Sequence, residues 1–448
     1  MSGWNFADVF EAIATALPAA PAQRHGDRTT TWAEFDRRAD GLGRALLDAG
    51  LREQDKVAQY LYNGSEYLES VLGSFKAGMA IVNTNYRYTA DELVYLWDNA
   101  DTAAVIFHGT FTDRIEEVRS RVPGVRLWIH VDDGSGPTPD WAVPYEELAN
   151  SSGDRAVGPW GRSGDHLLLL YTGGTTGMPK GVMWRQADVI GALEANNRRR
   201  LPDTVDAAAV IDRLRGPGPR GLPGAPLMHG TGFFNAMSTL LIGGSITTLV
   251  GRRFDPVELL DTIDREGINS ISIVGDAFAK PILEALDTEP KRWDISSLRV
   301  IVSSGVMWSK ATKEGLLRHN PRLILLDTLG SSEAIGMATT RQHPIAPGRP
   351  PPSPSVPALG SSPRTGAMWS PVRESVVVSP CVATCRSATT RTRRSPQPPS
   401  RSSMGSAIRF PAIGRRSITT DRFDSSDVGA NASTREARRS TPRRSRRP

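Results

Sequence analysis

The sequence predicts an α/β fold with mostly parallel sheets, on three observations. From about residue 5 to 340, strand-like and helix-like segments alternate. The strand-like segments are short, nearly continuous apolar runs that read as buried strands. The polar, glycine-rich stretches fall just after such runs, beyond the carboxyl ends of strands, where open α/β sheets bind ligands.

The first long helix is the clearest element. "TWAEFDRRADGLGRALLDAGL", from Thr31 to Leu51, places apolar residues at helical spacing, with Thr31 as N-cap. "KVAQYLY" and "TAAVIFH" read as strands, with "SEYLESVLGSFKAG" as a helix between them. "HLLLLYT", "GSITTLV", "NSISIVG", "LRVIVSS" and "RLILLDTLG" repeat the theme, each leading into a turn or a helix. Beyond residue 341 the periodicity stops. "APGRPPPSPSVPALGSSPRTG" and "TTRTRRSPQPPSRSS" cannot bury enough apolar area to offset chain entropy. The expected organisation is a folded domain over 1–340 and a disordered Pro/Arg/Ser-rich tail over 341–448.

Charge divides at the same place. The overall balance is +6, but residues 1–340 hold 34 Lys+Arg against 43 Asp+Glu, whereas 341–448 hold 20 against 5. The body is thus an ordinary acidic globular protein. Both cysteines, Cys381 and Cys385, lie in the tail, so neither a disulfide framework nor a cysteine metal site holds the body together. The start lacks the basic segment and long apolar run of a signal peptide, and no window approaches the roughly 18 apolar residues of a spanning helix. The expectation is a cytoplasmic protein, with peripheral contact to a membrane left open.

The most specific motif is "LLLLYTGGTTGMPKG", Leu167 to Gly181. A buried strand runs into Thr172, Gly173, Gly174, Thr175, Thr176 and Gly177, with Lys180 shortly after. Glycines let the backbone turn its N–H groups onto an anion, the threonines add hydroxyl donors, and the lysine supplies a mobile positive charge. It is not the G-x-x-x-x-G-K-[ST] loop, because Lys180 lies three residues beyond Gly177.

"YTGGTTGMPKG" resembles the signature loop of the adenylate-forming superfamily, which comprises acyl-CoA synthetases, luciferases and peptide-synthetase adenylation domains. The resemblance covers about residues 5–340, and further motifs occur in the family's order. "PLMHGTGFF" resembles the acyl-pocket motif, which implies His229 near the reacting carboxylate. "VSSGV" resembles the loop against adenine, implying Ser304 and Gly305 there. "DTLGSSEAIG" implies nucleotide contacts from Asp327, Gly330, Ser331 and Ser332, and Mg²⁺ held by Glu333. "VMWRQADV" and "VGDAFAKP" resemble bacterial fatty-acyl and sterol side-chain acyl-CoA synthetases in particular. Taken singly, His229 reads as a loop histidine, Glu333 as a surface acid and Asp327 as a turn residue; their order after successive strands joins them.

The resemblance implies ATP-dependent activation of a fatty or sterol side-chain acid to an acyl-adenylate, then transfer to coenzyme A. Lys180, His229 and Glu333 would carry the chemistry, with ATP, Mg²⁺ and CoA as its reagents. No nucleic acid is expected as a partner. Two alternatives stay open: an acyl-AMP ligase loading a carrier protein, and a non-catalytic acyl or nucleotide binder whose Arg-rich tail binds nucleic acid.

The tail departs from the family, whose members continue into a ribose-binding Gly-Asp segment, a hinge and a mobile subdomain. All twenty basic residues of 341–448 are arginine. Back-translated and read from the third base of each codon, "SMGSAIRFPAIG" can spell D-G-V-R-Y-S-I-P-G-D-W, which resembles the ribose-binding segment. In that frame "SSDVGANASTREARRSTPRRSRRP", with the last base of the preceding Asp424 codon, can spell L-L-G-R-G-S-Q-C-I-N-T-G-G-E-K-I-Y-P-E-E-V-E-E-A, which resembles the hinge and the opening of the mobile subdomain. "PRTGAMWSPVRESV" can spell E-D-G-R-D-V-V-P-G-S-G-E. The expectation is a frameshift between about residues 341 and 360.

Overall fold

The computed structural model describes residues 3–174, 177–195, 200–331, 334–342, 374–378 and 386–387. The chain starts with the helix Phe6–Ala16, then a short hairpin of β1 (Pro21–His25) and β2 (Arg28–Thr31). Thr31 caps the helix Trp32–Asp48 by accepting from the Glu34 N–H, as its position before the apolar stripe predicts. Next come β3 (Lys56–Tyr60), β4 (Ala80–Asn83), β5 (Thr102–His108), β6 (Leu127–Val131) and β7 (Val143–Pro144). β8 (Leu167–Gly174) and β9 (Gly177–Arg185) lead to β10 (Arg220–Pro223), β11 (Ser245–Thr248), β12 (Ser270–Ile273) and β13 (Val300–Ser304). The last strands are β14 (Ile324–Ser331), β15 (Ala334–Gln342), β16 (Glu374–Val378) and β17 (Arg386–Ser387).

These strands form two sheets. One has the order β16-β15-β14-β13-β12-β10-β11-β1-β2, the other β17-β9-β8-β4-β3-β5-β6-β7. The inner pairings, β11–β10–β12–β13–β14 and β8–β4–β3–β5–β6, are all parallel. Antiparallel pairing is confined to the margins, at β1–β2, β8–β9, β9–β17, β14–β15 and β15–β16. The mostly parallel α/β architecture expected from the sequence is therefore present. β16 and β17 lie within the segment expected as a tail; apart from these and residues 341–342, that segment lies outside the described residues.

Alternation along the strands divides the core into layers. In β8, Leu168 and Leu170 point into one cluster and Leu169 and Tyr171 into another, as a period of two requires. The first cluster is shared between the sheets, with Ile81, Ile106 and Trp184 from one and Ala22 and Ile246 from the other. Phe6, Phe10, Trp32 and Phe35 fill its helical part, with Phe10 set edge-on to Trp32 at 5.7 Å. The second cluster covers the outer face of the eight-stranded sheet under the helices Ala90–Asn99 and Thr112–Val118. The third lies on the outer face of the nine-stranded sheet, under Pro256–Glu266, Asp276–Thr288 and Lys310–His319. With both faces covered, inner strands are buried over most of their length, and residues capable of chemistry are left mainly to strand ends.

Candidate functional site

The glycine/threonine motif occupies the tip of a hairpin. β8 turns back directly into β9, pairing Tyr171 with Gly181, Thr172 with Lys180 and Gly174 with Gly177. Lys180 is exposed and sits across the ladder from Thr172. Thr175 and Thr176 lie outside the described residues. The root of the hairpin is fixed by Tyr171, whose hydroxyl donates to Asn99 Oδ1 at 2.8 Å and whose ring crosses Gly181. A Cβ at position 181 would stand 2.6 Å from Tyr171 Cζ, so this glycine serves close approach.

His229 comes at the end of a segment joining the two sheets. Gly224 and Ala225 donate from their N–H groups to the Ser272 carbonyl at the end of β12. Leu227 N–H donates to Asn63 Oδ1 at 2.8 Å, beyond β3. The Met228 carbonyl accepts from Asn83 Nδ2 at 2.6 Å, at the end of β4. His229 then precedes the helix Gly230–Leu240 with its side chain solvent-accessible. Partial desolvation by the surrounding protein, with the nearby Arg87 guanidinium, holds its imidazole below the ordinary histidine range. Its neutral form is therefore favoured.

Asn83 also reaches the hairpin. Its Oδ1 accepts from Tyr171 N–H at 2.6 Å and its Nδ2 donates to the Tyr171 carbonyl at 3.0 Å. The anion loop and the histidine segment thus share one buried side chain.

On the nine-stranded sheet, Ser304 ends β13 and Gly305 comes next with a φ of 87°. Ser303 Oγ accepts from Gly275 N–H at 3.0 Å, joining the turn after β12 to the turn after β13. Asp327 pairs with Ser303 across the parallel ladder, and Thr328 with Ser304. The Asp327 carboxylate bonds Lys313 Nζ, itself buried and 5.6 Å above the Trp308 ring. Asp327 is thus anchored in the protein rather than fully open to a ligand. Gly330 and Ser331 continue β14, while Ser332 and Glu333 lie outside the described residues. Among the described residues no group of three or more His, Cys, Asp or Glu side chains could hold a metal.

Several residues here carry no motif. Arg252, after β11, stacks over Tyr62 at 4.9 Å and pairs with Asp133 at 2.7 Å, bridging the two sheets. Next to it, Tyr62 N–H donates to His108 Nδ1 at 3.1 Å. Burial of His108, with an opposing pull from Asp133, holds its imidazole down at about 4. Between these groups lies a cavity of about 120 Å³ lined by Tyr62, Tyr86, Arg87, Pro223 and Arg252, at carboxyl ends of strands or in the loops beyond, and by Phe278 in the first turn of the helix Asp276–Thr288. A larger hollow of about 820 Å³, around Glu53, His166 and Arg185, opens at the opposite end of the eight-stranded sheet. Of the motif residues it holds only Leu167 and Met183, Trp184, Arg185 and Asp188 of "VMWRQADV", and none of those expected at the nucleotide or the carboxylate, so strand polarity rather than volume identifies the site. Among the described residues, no helix is long and apolar enough to cross a membrane.

The family described as AMP-binding enzyme matches residues 10–365. A medium/long-chain-fatty-acid–CoA/3-oxocholest-4-en-26-oate–CoA ligase of Mycobacterium tuberculosis (strain ATCC 25618 / H37Rv) is 35% identical over 342 residues, covering 73% of this chain and 60% of that protein. The chain thus spans well under two thirds of that relative's length. Among solved structures, the anthranilate CoA ligase AuaEII in complex with anthranoyl-AMP aligns with a TM-score of 0.64 at 21% identity, covering 78% of this chain and 64% of that one. The inhibitor-bound N-terminal domain of FACL13 from Mycobacterium tuberculosis aligns with a TM-score of 0.61 at 21% identity, covering 74% and 77%. Those likenesses concern the fold, and the hairpin at the head of β8 lies inside the matched region. By the extent of that match, the chain belongs to the AMP-binding enzyme family.

Proposed function

We propose that this chain is the adenylate-forming part of an acyl-CoA ligase acting on a medium- to long-chain fatty acid or a sterol side-chain acid. The carboxylate oxygen attacks the α-phosphorus of ATP, the α–β anhydride bond breaks, and pyrophosphate leaves. The sulfur of coenzyme A then attacks the acyl carbon, AMP departs, and the thiol proton goes to solvent or a base. The observation that carries this reading is the junction at Asn83, which sets the anion-binding hairpin against the segment bearing His229. A reaction joining a carboxylate to a phosphate needs those two sites adjacent.

In this reading Lys180 and the hairpin N–H groups neutralise charge on the phosphates, and neutral His229 orients the carboxylate. Ser304 and Gly305 flank the base, with Asp327 and its Lys313 partner bracing that wall. Magnesium is assigned to Glu333 by the family motif alone, and no step above runs through it. The 35% identity to a fatty-acid and sterol-acid ligase supports the substrate class. We place the enzyme in the cytoplasm, where ATP and CoA are supplied.

We further infer that residues beyond about 341 are read out of frame, so the ribose-binding segment and mobile subdomain are replaced by the Arg-rich tail. Purified 448-residue chain and its frame-corrected counterpart, assayed for acid-dependent pyrophosphate release and acyl-CoA formation, test both points. The corrected chain should form acyl-CoA from dodecanoate or a sterol side-chain acid, and the 448-residue chain should be slower by orders of magnitude. Comparable rates would remove the frame inference; no acyl-CoA from either would remove the ligase.

A further inference from the structure

Resting on that reading, we propose that Asn83 is a positioning residue that couples the phosphate hairpin to the carboxylate segment, with Asn63 as its second support. β4 and β8 are thinly joined in their backbone ladder, with Val82 opposite Leu169 as the paired position. One residue further on, the Asn83 side chain takes over from the backbone. Its amide pairs with both the N–H and the C=O of Tyr171, as a neighbouring strand would. Its second Nδ2 hydrogen goes to the Met228 carbonyl, one residue before His229.

Both donors and one acceptor site of the amide are thus used, in a position 6% exposed. No other side chain of this size supplies two donors and an acceptor in one plane. Aspartate would offer no donor and would set a carboxylate against two carbonyl oxygens. Asn63 holds the same segment from the other side through Leu227 N–H. The distance between the anion loop and His229 is therefore set by two asparagine amides. Neither amide needs to touch a ligand.

A ligand touching only one side should be indifferent to this device, and a ligand spanning both should not. The test measures dissociation constants by calorimetry on the full 448-residue chain with three probes: ATP, dodecanoate, and the dodecanoyl-sulfamoyl-adenosine that mimics the joined product. Asn83→Ala should weaken the spanning probe by about tenfold while ATP and dodecanoate each stay within about twofold. Without ligand, amide exchange at Tyr171 and Leu227 should accelerate together. Equal weakening of all three probes, or faster exchange at Tyr171 alone, overturns the coupling. Should Asn83→Ala not fold, Asn63→Ala releases only the Leu227 N–H and must still weaken the spanning probe selectively. If neither the 448-residue chain nor its frame-corrected counterpart binds any of the three probes, the ligase reading fails, and the exchange measurement still decides whether the segments are coupled.

Discussion

At the amino end of the eight-stranded sheet, Lys76 is wholly buried, with Glu11, Asp36 and Asp40 at 2.7, 2.7 and 2.8 Å. At the carboxyl end, Lys180 stands exposed on the hairpin and His229 is exposed before its helix. The amino end adds Arg162, bonded to both oxygens of Glu11, and nearby Arg38 is shared between Glu69 and Glu146. There, burial is offset by close opposite charge, so the groups act as structure. Across the carboxyl end of the sheet, charge is either exposed, as at Lys180 and Arg87, or latched once, as at Arg252. A lysine with three carboxylates has no capacity left for a phosphate, whereas a solvated one keeps all of it.

The sharpest way to break this comparison is to exchange the two lysines' fates. Lys76→Met leaves three carboxylates around an apolar side chain and should cost about 3–5 kcal/mol of unfolding free energy. Lys180→Met should change stability by no more than about 0.5 kcal/mol yet remove most of the affinity for ATP. Urea unfolding with nucleotide titration reads both. If Lys180→Met proved as destabilising as Lys76→Met, the exposed lysine would be structural after all. Arg252→Ala lies between them. It gives up the Asp133 pair, the Thr110 bond and the Tyr62 stack at a half-solvated place, for about 1–2 kcal/mol.

Acid titration should separate the two ends by pH. Burial alone would raise the Glu11 carboxyl, but Arg162 and Lys76 outweigh it and hold it at about 2, against an ordinary value of 4.5. This group is ionised more readily folded than unfolded. Its contribution is complete above about pH 4.5 and is lost as pH falls towards 2. His108 behaves oppositely in charge but alike in direction. Its depressed value of about 4 means the unfolded chain takes up the proton first, so stability is full above pH 6.5 and falls between 6.5 and 4. Since Nδ1 accepts from Tyr62 N–H, the ring proton sits on Nε2, and acid must break that bond. His108→Gln should flatten part of the upper fall and Glu11→Gln the lower one. His25, His130 and His229 are also held down, so the upper window should shrink without vanishing.

The inner strands were legible because a parallel sheet covered on both faces leaves each short strand rich in apolar and β-branched residues. "KVAQYLY", "TAAVIFH" and "NSISIVG" contain β3, β5 and β12. β9 was not, since "GMPKGVMWR" holds glycine, proline and charge at a sheet margin, where they do little harm. The motif residues were legible as a string of unusual composition in a known order. Asn63, Asn83 and Arg252 were not, because their partners lie 164 residues away in the case of Asn63 and Leu227, 145 for Asn83 and Met228, and 119 for Arg252 and Asp133. A lone asparagine after "AIV" carries no pattern until the chain is folded around it.

The smallest effect concerns the tail. Residues 391–448 lie outside the described residues. Deleting 391–448 removes fifteen arginines and four acidic residues, taking the net charge from +6 to −5. If that segment is read out of frame, deletion should leave the urea midpoint unchanged and ATP affinity within about twofold. Retention on heparin should be lost, since arginine clusters bind polyanions whatever their origin. Loss of ATP affinity on deletion would tie the segment to the cleft. Sequence-selective DNA binding that survives physiological salt would give the arginines a role of their own. Bulk retention on heparin alone gives them none, because charge density suffices for it.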